Sequence, residues 1–432
     1  MTLETDLKTR ILAAVDDRFG AQTEFLSDLT AFASTRGNEQ EAQSFMAETL
    51  RRRGYDLDVW EIDIEEIRDL PGFSPVAEPF EKAVNVVGTH SSRTRKGRSL
   101  VLNGHMDVVP AGPPEMWDTP PFVPRVEGGW VYGRGAGDMK AGLSSNIFAV
   151  DALHACEVRP AADVFLQSVV EEECTGNGAL ACLQRGYRAE AALIPEPFGE
   201  ALVEAQVGVL WFRVRLAGRP VHAAEAGGGA NAIEAAMPLI AALHGMEARW
   251  NEDRQRHPCY AHVTHPLNLN IGRIEGGDWT SSVPAWCVFE ARMGLYPGQD
   301  LQAAKAEIAA TLHDAARQDP FLCDIPPEVT WHGFEAEGYA LAESAAPEAE
   351  RAVSVLESAH RAVTGTALDR VASTATTDAR FFGLYADMPA LVYGPRAEAI
   401  HGFNERVDLD SVRRVTQATA LFIADWCGLE NA

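Results

Sequence analysis

SLVLNGHMDVVP, residues 99–110, decides how the rest of the chain is read. Residues 99–102 are a short apolar run of the kind that forms a strand buried on both faces. His105 and Asp107 follow it, two residues apart. The arrangement returns twice: residues 164–170 run into Glu171, Glu172 and Glu173, and residues 191–194 run into Glu196. In an open α/β sheet, residues directly after parallel strands collect at the carboxyl edge, where ligands bind. Asp138, at the amino end of a helix expected over 140–155, and His401 complete a set of imidazoles and carboxylates.

Divalent first-row metals prefer those ligand types, and zinc in particular takes His nitrogen with Asp or Glu oxygen. Two such ions about 3.5–4 Å apart need a shared anion to offset their repulsion, and together they lower the pKa of a water between them. A base within hydrogen-bond reach must then take the proton and return it to a departing amine. Glu172 beside Glu173 suits this, because neighbouring residues in a turn can aim one carboxylate at a metal and the other at a water. Asp107, on the same strand face as His105, is expected to accept the second imidazole N–H and fix its tautomer. Gly133, Gly135 and Gly137 resemble a dinucleotide fingerprint only superficially, since the strand-to-helix context with a later acid is missing. They are read instead as a tight bend that delivers Asp138.

Outward from this centre, strands are expected at 57–62, 83–88 and 98–102, and a helix capped by Asn38 runs to Arg53, where Gly54 stops it. Residues 110–137 read as a long Pro/Gly-rich loop of functional length. Near residue 207 the pattern changes to strand 209–216, helix 230–250, strands 266–274 and 287–295, helix 301–316 and strand 328–334. That order is βαββαβ, a ferredoxin-like unit. A helix over about 346–363 and a strand at 390–393 resume the first style. The expectation is an α/β protein: a discontinuous catalytic domain, 1–207 and 335–432, with a central sheet flanked by helices, and an inserted α+β lid and dimerisation domain, 208–334.

With 432 residues and 46% hydrophobic content there is material for two or three domains. The net charge of −25 argues against nucleic acid and anionic membrane surfaces as partners. The first twenty residues are amphipathic and charged, unlike a secretory signal, so a cytoplasmic protein is expected. Seven cysteines without a C-x-x-C pair suggest neither a disulfide framework nor a cysteine metal site.

GHMDVVP, Trp117 with Pro121-Phe122, YGRGAGDMKAG, EEECTGNG, PEP at 195–197 and HGFNE at 401–405 resemble the family of acetylornithine deacetylase, succinyl-diaminopimelate desuccinylase, aminoacylase and carboxypeptidase G. The likeness spans nearly the whole chain. It implies two zinc ions, replaceable by cobalt, one held by His105, Asp138 and Glu196 and the other by Asp138, Glu173 and His401. Glu172 takes the place of the general base, and Glu171 that of a structural acid. GRPVHAAEAGGGANAIEAA resembles the family's lid segment, with His222 and Asn231 at its marked positions and Ala226 where proline is usual. The resemblance implies a homodimer in which His222 reaches the other subunit's site and hydrogen-bonds the oxyanion, a role suited to a preorganised donor. Arg292 resembles the arginine that grips a substrate carboxylate, with one extra residue before Pro297. Ser282 and the segment 376–378, Thr377 among it, are further candidates for substrate contact.

The function implied is metal-dependent hydrolysis of an N-acyl group (acetyl, succinyl or formyl) from a small amine or amino acid. Pocket walls, which the ligand motif does not encode, set the acyl group and the amine. Dipeptide or carboxypeptidase cleavage and deformylation of a formylaminomethyl pyrimidine stay open as alternatives. A binding protein that kept the fold would be expected to have lost Glu172 or a ligand, and this chain retains them all.

Overall fold

The computed structural model describes residues 4–76, 82–343 and 348–432. Its largest sheet has nine strands, ordered Asp56–Glu61, Val84–His90, Val164–Val169, Leu100–His105, Ala192–Ile194, Ala390–Val392, Leu202–Gln206 and Tyr339–Ala340, with Arg370–Ser373 also pairing to Leu202–Gln206. The centre is parallel: Leu100–His105 lies between Val164–Val169 and Ala192–Ile194, and the latter pairs with Ala390–Val392. The strands at the Asp56–Glu61 end are antiparallel. Every residue of Leu100–His105 is buried, as a parallel strand covered on both faces requires.

Helix Ala141–Ala155 is apolar almost all round and packs against Thr5–Thr30 and Leu409–Cys427, the placement expected of a helix with no polar face. Glycines bring these layers close. A Cβ on Gly104 would sit 2.8 Å from the Leu143 side chain, and one on Gly142 2.4 Å from the Pro195 carbonyl oxygen. The main core runs from Ile11 through Leu102, Ile147 and Leu193 to Phe422.

A second sheet holds Leu269–Gly276, Trp286–Leu295, Gly208–Ala217 and Glu328–Ala336 in that order, all antiparallel. Helices Ala232–Glu252 and Leu301–Ala316 cover it, burying Leu243 and Ile308 with Phe212 and Phe289. Chain order and spatial order together make the ferredoxin-like arrangement that the alternation of patterns predicts.

Local expectations differ from the structure in two places. Asn38 does not cap the next helix, which runs Gln40–Arg52 behind Glu39 without a side-chain cap. The Asn38 amide turns back to Thr35 Oγ1 at 3.0 Å, a local bond that competes with capping. The loop 110–137 contains a hairpin, Arg125–Glu127 and Trp130–Tyr132, that joins Ala397–Glu398 and Arg406–Asp408 in a small sheet. Three-residue strands are too short for alternation to register. The helix expected over 346–363 is Ala349–Thr364, and the start at 346 falls outside the described residues. Among the described residues no helix is long and apolar enough to cross a membrane.

Candidate active site

Parallel pairing carries the predicted residues to one edge. His105 closes its strand, Glu171 to Glu173 follow Val169 on one side, and Glu196 follows Ile194 on the other. Asp138 sits in the turn Ala136–Lys140 ahead of the buried helix, and His401 lies in the loop between Ala397–Glu398 and Arg406–Asp408. His105 Nε2 is 3.2 Å from Asp138 Oδ1, 3.7 Å from Glu196 Oε1 and 3.8 Å from Glu172 Oε2. His401 Nε2 is 3.1 Å from Glu173 Oε2 and 3.5 Å from Asp138 Oδ2. Asp138 therefore stands between the two imidazoles with one oxygen towards each.

The electrostatics of this cluster are lopsided. Asp107, Asp138, Glu172, Glu196 and Asp378 are gathered in a buried space around His105 and Arg380. Burial and like-charged neighbours push the Glu172 and Glu196 carboxyls well up, and burial holds Asp107 near 6 and Asp378 near 7. Burial alone would depress His105, but Glu196, Asp138, Glu172 and Asp107 outweigh it and raise the imidazole well above its ordinary value. In the same way burial is overcome at His401, which Asp138 and Glu173 raise to about 10. Burial disfavours the Asp138 anion, yet its bonds to His105 and His401 pull its pKa below the usual range. Such a concentration of anionic oxygen calls for cations to neutralise it. One donor atom each from His105, Asp138 and Glu173, and likewise from His105, Glu172 and Glu196, falls within 4.8 Å of the others, so the residues fit divalent metal.

The surrounding residues fix this geometry. His105 Nδ1 bonds the backbone carbonyl of Asp107 at 2.9 Å, while the Asp107 carboxylate stands 3.6 Å away and accepts the Glu173 N–H at 3.1 Å. The expected carboxylate partner is thus replaced by the main chain, and Asp107 steadies the glutamate turn instead. Glu171 is a structural acid, paired with Arg36 at 2.5 Å and accepting from Thr175. Glu405, unassigned by the sequence reading, accepts from the backbone N–H groups of Gly135, Gly137 and Asp138 at 3.0, 3.1 and 3.2 Å and pairs with buried Arg134 at 2.5 Å. Gly135, at φ +79°, supplies the left-handed residue of that turn. Glu405 was discoverable as the one acid of HGFNE not needed as a ligand.

A cavity of about 660 Å³ opens beside the cluster, lined by Glu172, Glu173 and His401 below and by Trp211, Arg292 and Phe334 of the second sheet above. Arg292 donates to the carbonyls of Asn268 and Thr374 at 3.4 and 3.1 Å and has no acidic partner among the described residues. Three residues expected to contact substrate, Thr377, Asn231 and Ser282, do not line this cavity. Thr377 faces inward, its hydroxyl donating to Gln206 at 2.7 Å and capping Ala379 N–H at 3.2 Å, while Thr376 lines the cavity. Asn231 caps helix Ala232–Glu252 through Ile233 and Glu234 N–H. Ser282 is exposed and bridges by backbone to His222. His222 is also exposed, and its Nδ1 accepts from Ala224 N–H at 3.1 Å, outside the cavity lining.

Comparison with known proteins agrees with this architecture. The chain belongs to Peptidase family M20/M25/M40, whose family model matches residues 101–425. N-formyl-4-amino-5-aminomethyl-2-methylpyrimidine deformylase of Halalkalibacterium halodurans is 30% identical over 413 residues, covering 91% of each chain. The Bacillus subtilis protein of the same name is 28% identical over 406 residues, covering 90% of each. Among solved structures, the dipeptidase Dug1p of Saccharomyces cerevisiae superposes with a TM-score of 0.78 at 15% identity, over 97% of this chain and 98% of that one. Human carnosine dipeptidase 1 gives 0.75 at 17% identity, over 98% and 99%. The protein is a hydrolytic enzyme acting on amide C–N bonds.

Glu405 generates the first prediction. Glu405→Ala leaves Arg134 buried without its partner and three N–H groups of the Asp138 turn without an acceptor. We expect a loss of about 3–5 kcal/mol in urea unfolding, the range for breaking a buried pair, with weakened metal retention. Unchanged stability would remove Glu405 from this role.

Proposed function

We propose that the chain is a metal-dependent deformylase of a small aminomethyl heterocycle, and that its fold works as a catalytic domain, 1–207 and 335–432, under a lid and dimerisation domain, 208–334. The observation that carries the chemistry is Asp138 lying between two imidazoles while Glu172 opens onto the cavity beside them. The substrate follows from the deformylases that resemble this chain along nine-tenths of its length. In this reading His105, Asp138 and Glu196 would hold one divalent ion, and Asp138, Glu173 and His401 would hold a second. The nitrogen and oxygen donor set suits zinc, with cobalt able to substitute.

Bound metal supplies Lewis acidity towards the formyl oxygen and makes a water acidic enough to react near neutral pH. Glu172 would accept a proton from the attacking water as its oxygen adds to the formyl carbon, then give it to the amide nitrogen as the C–N bond breaks. Water and the formamide are consumed, and formate and the free amine leave. Asp107 and Glu405 keep the glutamate turn and the Asp138 turn in register throughout. His222, supplied by a second copy of the chain, donates to the developing oxyanion. The net charge of −25 favours a small-molecule substrate over nucleic acid or an anionic membrane surface, and a cytoplasmic location is part of this reading. A second reading, an N-acyl amino acid or peptide substrate, is favoured by Arg292, which lines the cavity and forms no ion pair among the described residues.

Free-amine release by zinc- or cobalt-loaded protein from N-formyl-4-amino-5-aminomethyl-2-methylpyrimidine, from N-acetyl and N-succinyl amino acids and from dipeptides, with formate measured for the first, separates these readings. Turnover of the formylated pyrimidine is expected, and turnover of the carboxylate-bearing amides alone would favour the second. Glu172→Gln should lower kcat by about 10²–10⁴-fold at nearly unchanged metal content. Equal loss of metal and activity would make Glu172 a ligand instead.

The partner role of His222 is tested by mixing. His222→Ala and Glu172→Ala chains, each nearly inactive, should regain up to about a quarter of wild-type activity when co-refolded 1:1, since half the dimers are mixed and each of those has one intact site. Mixed dimers without activity would place His222 in its own chain's site or outside catalysis.

A further inference from the structure

The sheet above the cavity departs from regular pairing at one place. Leu210 pairs with Glu335 and Phe212 with Trp331, so His332, Gly333 and Phe334 stand opposite the single residue Trp211. Gly333 takes φ +64°, and a Cβ there would lie 2.5 Å from the Trp211 ring. The bulge and its glycine therefore make room for an indole. Phe334 meets that ring edge-on at 5.4 Å and 82°, and His332 does so at 6.3 Å and 66°. On the other side Trp211 is registered opposite Arg292, and the same ring lines the cavity that Glu172, Glu173 and His401 share.

Stability does not account for the choice of residue. The indole Nε1 is enclosed without a hydrogen-bond partner among the described residues, which costs stability that phenylalanine would avoid. A strand bulge, a left-handed glycine and an unsatisfied N–H all accompany one flat side chain at the wall of the reaction chamber. Departures from local regularity of this kind collect where a fold serves a ligand.

We infer that Trp211 is a specificity-determining residue: an aromatic platform on which the heteroaromatic ring of the substrate stacks, leaving its formamide arm to reach the carboxylates below. This rests on the deformylase reading of the same cavity and deepens it, assigning selection for a planar heterocyclic methylamine over an aliphatic one to the second sheet. Ring stacking does not depend on hydrogen-bond pattern, so the platform selects aromatic character while other groups sort the ring substituents.

The test compares formate release from N-formyl-4-amino-5-aminomethyl-2-methylpyrimidine and from N-formylbutylamine in wild type, Trp211→Leu and Trp211→Phe, with thermal melts to confirm folding. Loss of one stacked ring is worth about 5–150-fold. In Trp211→Leu the ratio of kcat/KM for the pyrimidine over the alkyl formamide should fall by that factor, chiefly through KM, and Trp211→Phe should restore most of it. An unchanged ratio, or equal losses on both substrates, overturns the inference. If wild-type protein releases formate from neither compound, the deformylase reading fails separately, and the platform is judged by calorimetric binding of free 4-amino-5-aminomethyl-2-methylpyrimidine. Weaker binding by Trp211→Leu then supports it, and equal binding rejects it.

Discussion

Anionic charge concentrated at the end of a parallel sheet is the constraint on which the rest of this structure depends. Neighbouring strands bring His105, the Glu172–Glu173 pair and Glu196 to one edge because parallel pairing aligns their carboxyl ends. Asp138 and His401 arrive from outside the sheet and close the ring. Buried carboxylates that outnumber their cationic neighbours are costly to hold together without further positive charge, and their donor atoms have the spacing a divalent ion needs. Chemistry and stability thus make the same demand on these residues.

Meeting that demand requires a rigid frame, and the frame is largely main chain. Asp107 lends its carbonyl to His105 and its carboxylate to the Glu173 N–H. Glu405 gathers three N–H groups of the turn that carries Asp138. The Arg134 guanidinium that neutralises Glu405 lies over Trp117, 5.3 Å from the ring centroid, and Trp117 meets Phe403 edge-on. The motifs containing Trp117, Arg134 and Glu405 are far apart in the chain and form one packed unit under the site.

How much of this was legible depends on what each residue does. His105, Asp138, Glu172, Glu173, Glu196 and His401 could be singled out because acids and imidazoles directly after apolar runs are conspicuous, and the structure brings all of them together. The βαββαβ order was equally readable, since its strands and helices are long enough to show their periods. Short strands hid the hairpin at Arg125–Glu127 and Trp130–Tyr132. Asn231 and Thr377 stand out in the sequence as polar residues in marked segments, whereas the bonds they make, Asn231 to the start of a helix and Thr377 to Gln206 and the Ala379 N–H, show only in the fold. Trp211 gave no sign at all, because its meaning lies in a register shift with a strand more than a hundred residues away.

We propose above that the acidic cluster is a two-ion site with Asp138 as the shared ligand. Metal analysis of protein purified without chelator, wild type beside Asp138→Ala, tests that claim most directly. About two divalent ions per chain in the wild type and loss of both metal and activity in the variant are the predicted result, because ions so close would repel without the shared anion. Full amide hydrolysis by wild-type protein carrying almost no metal would contradict it.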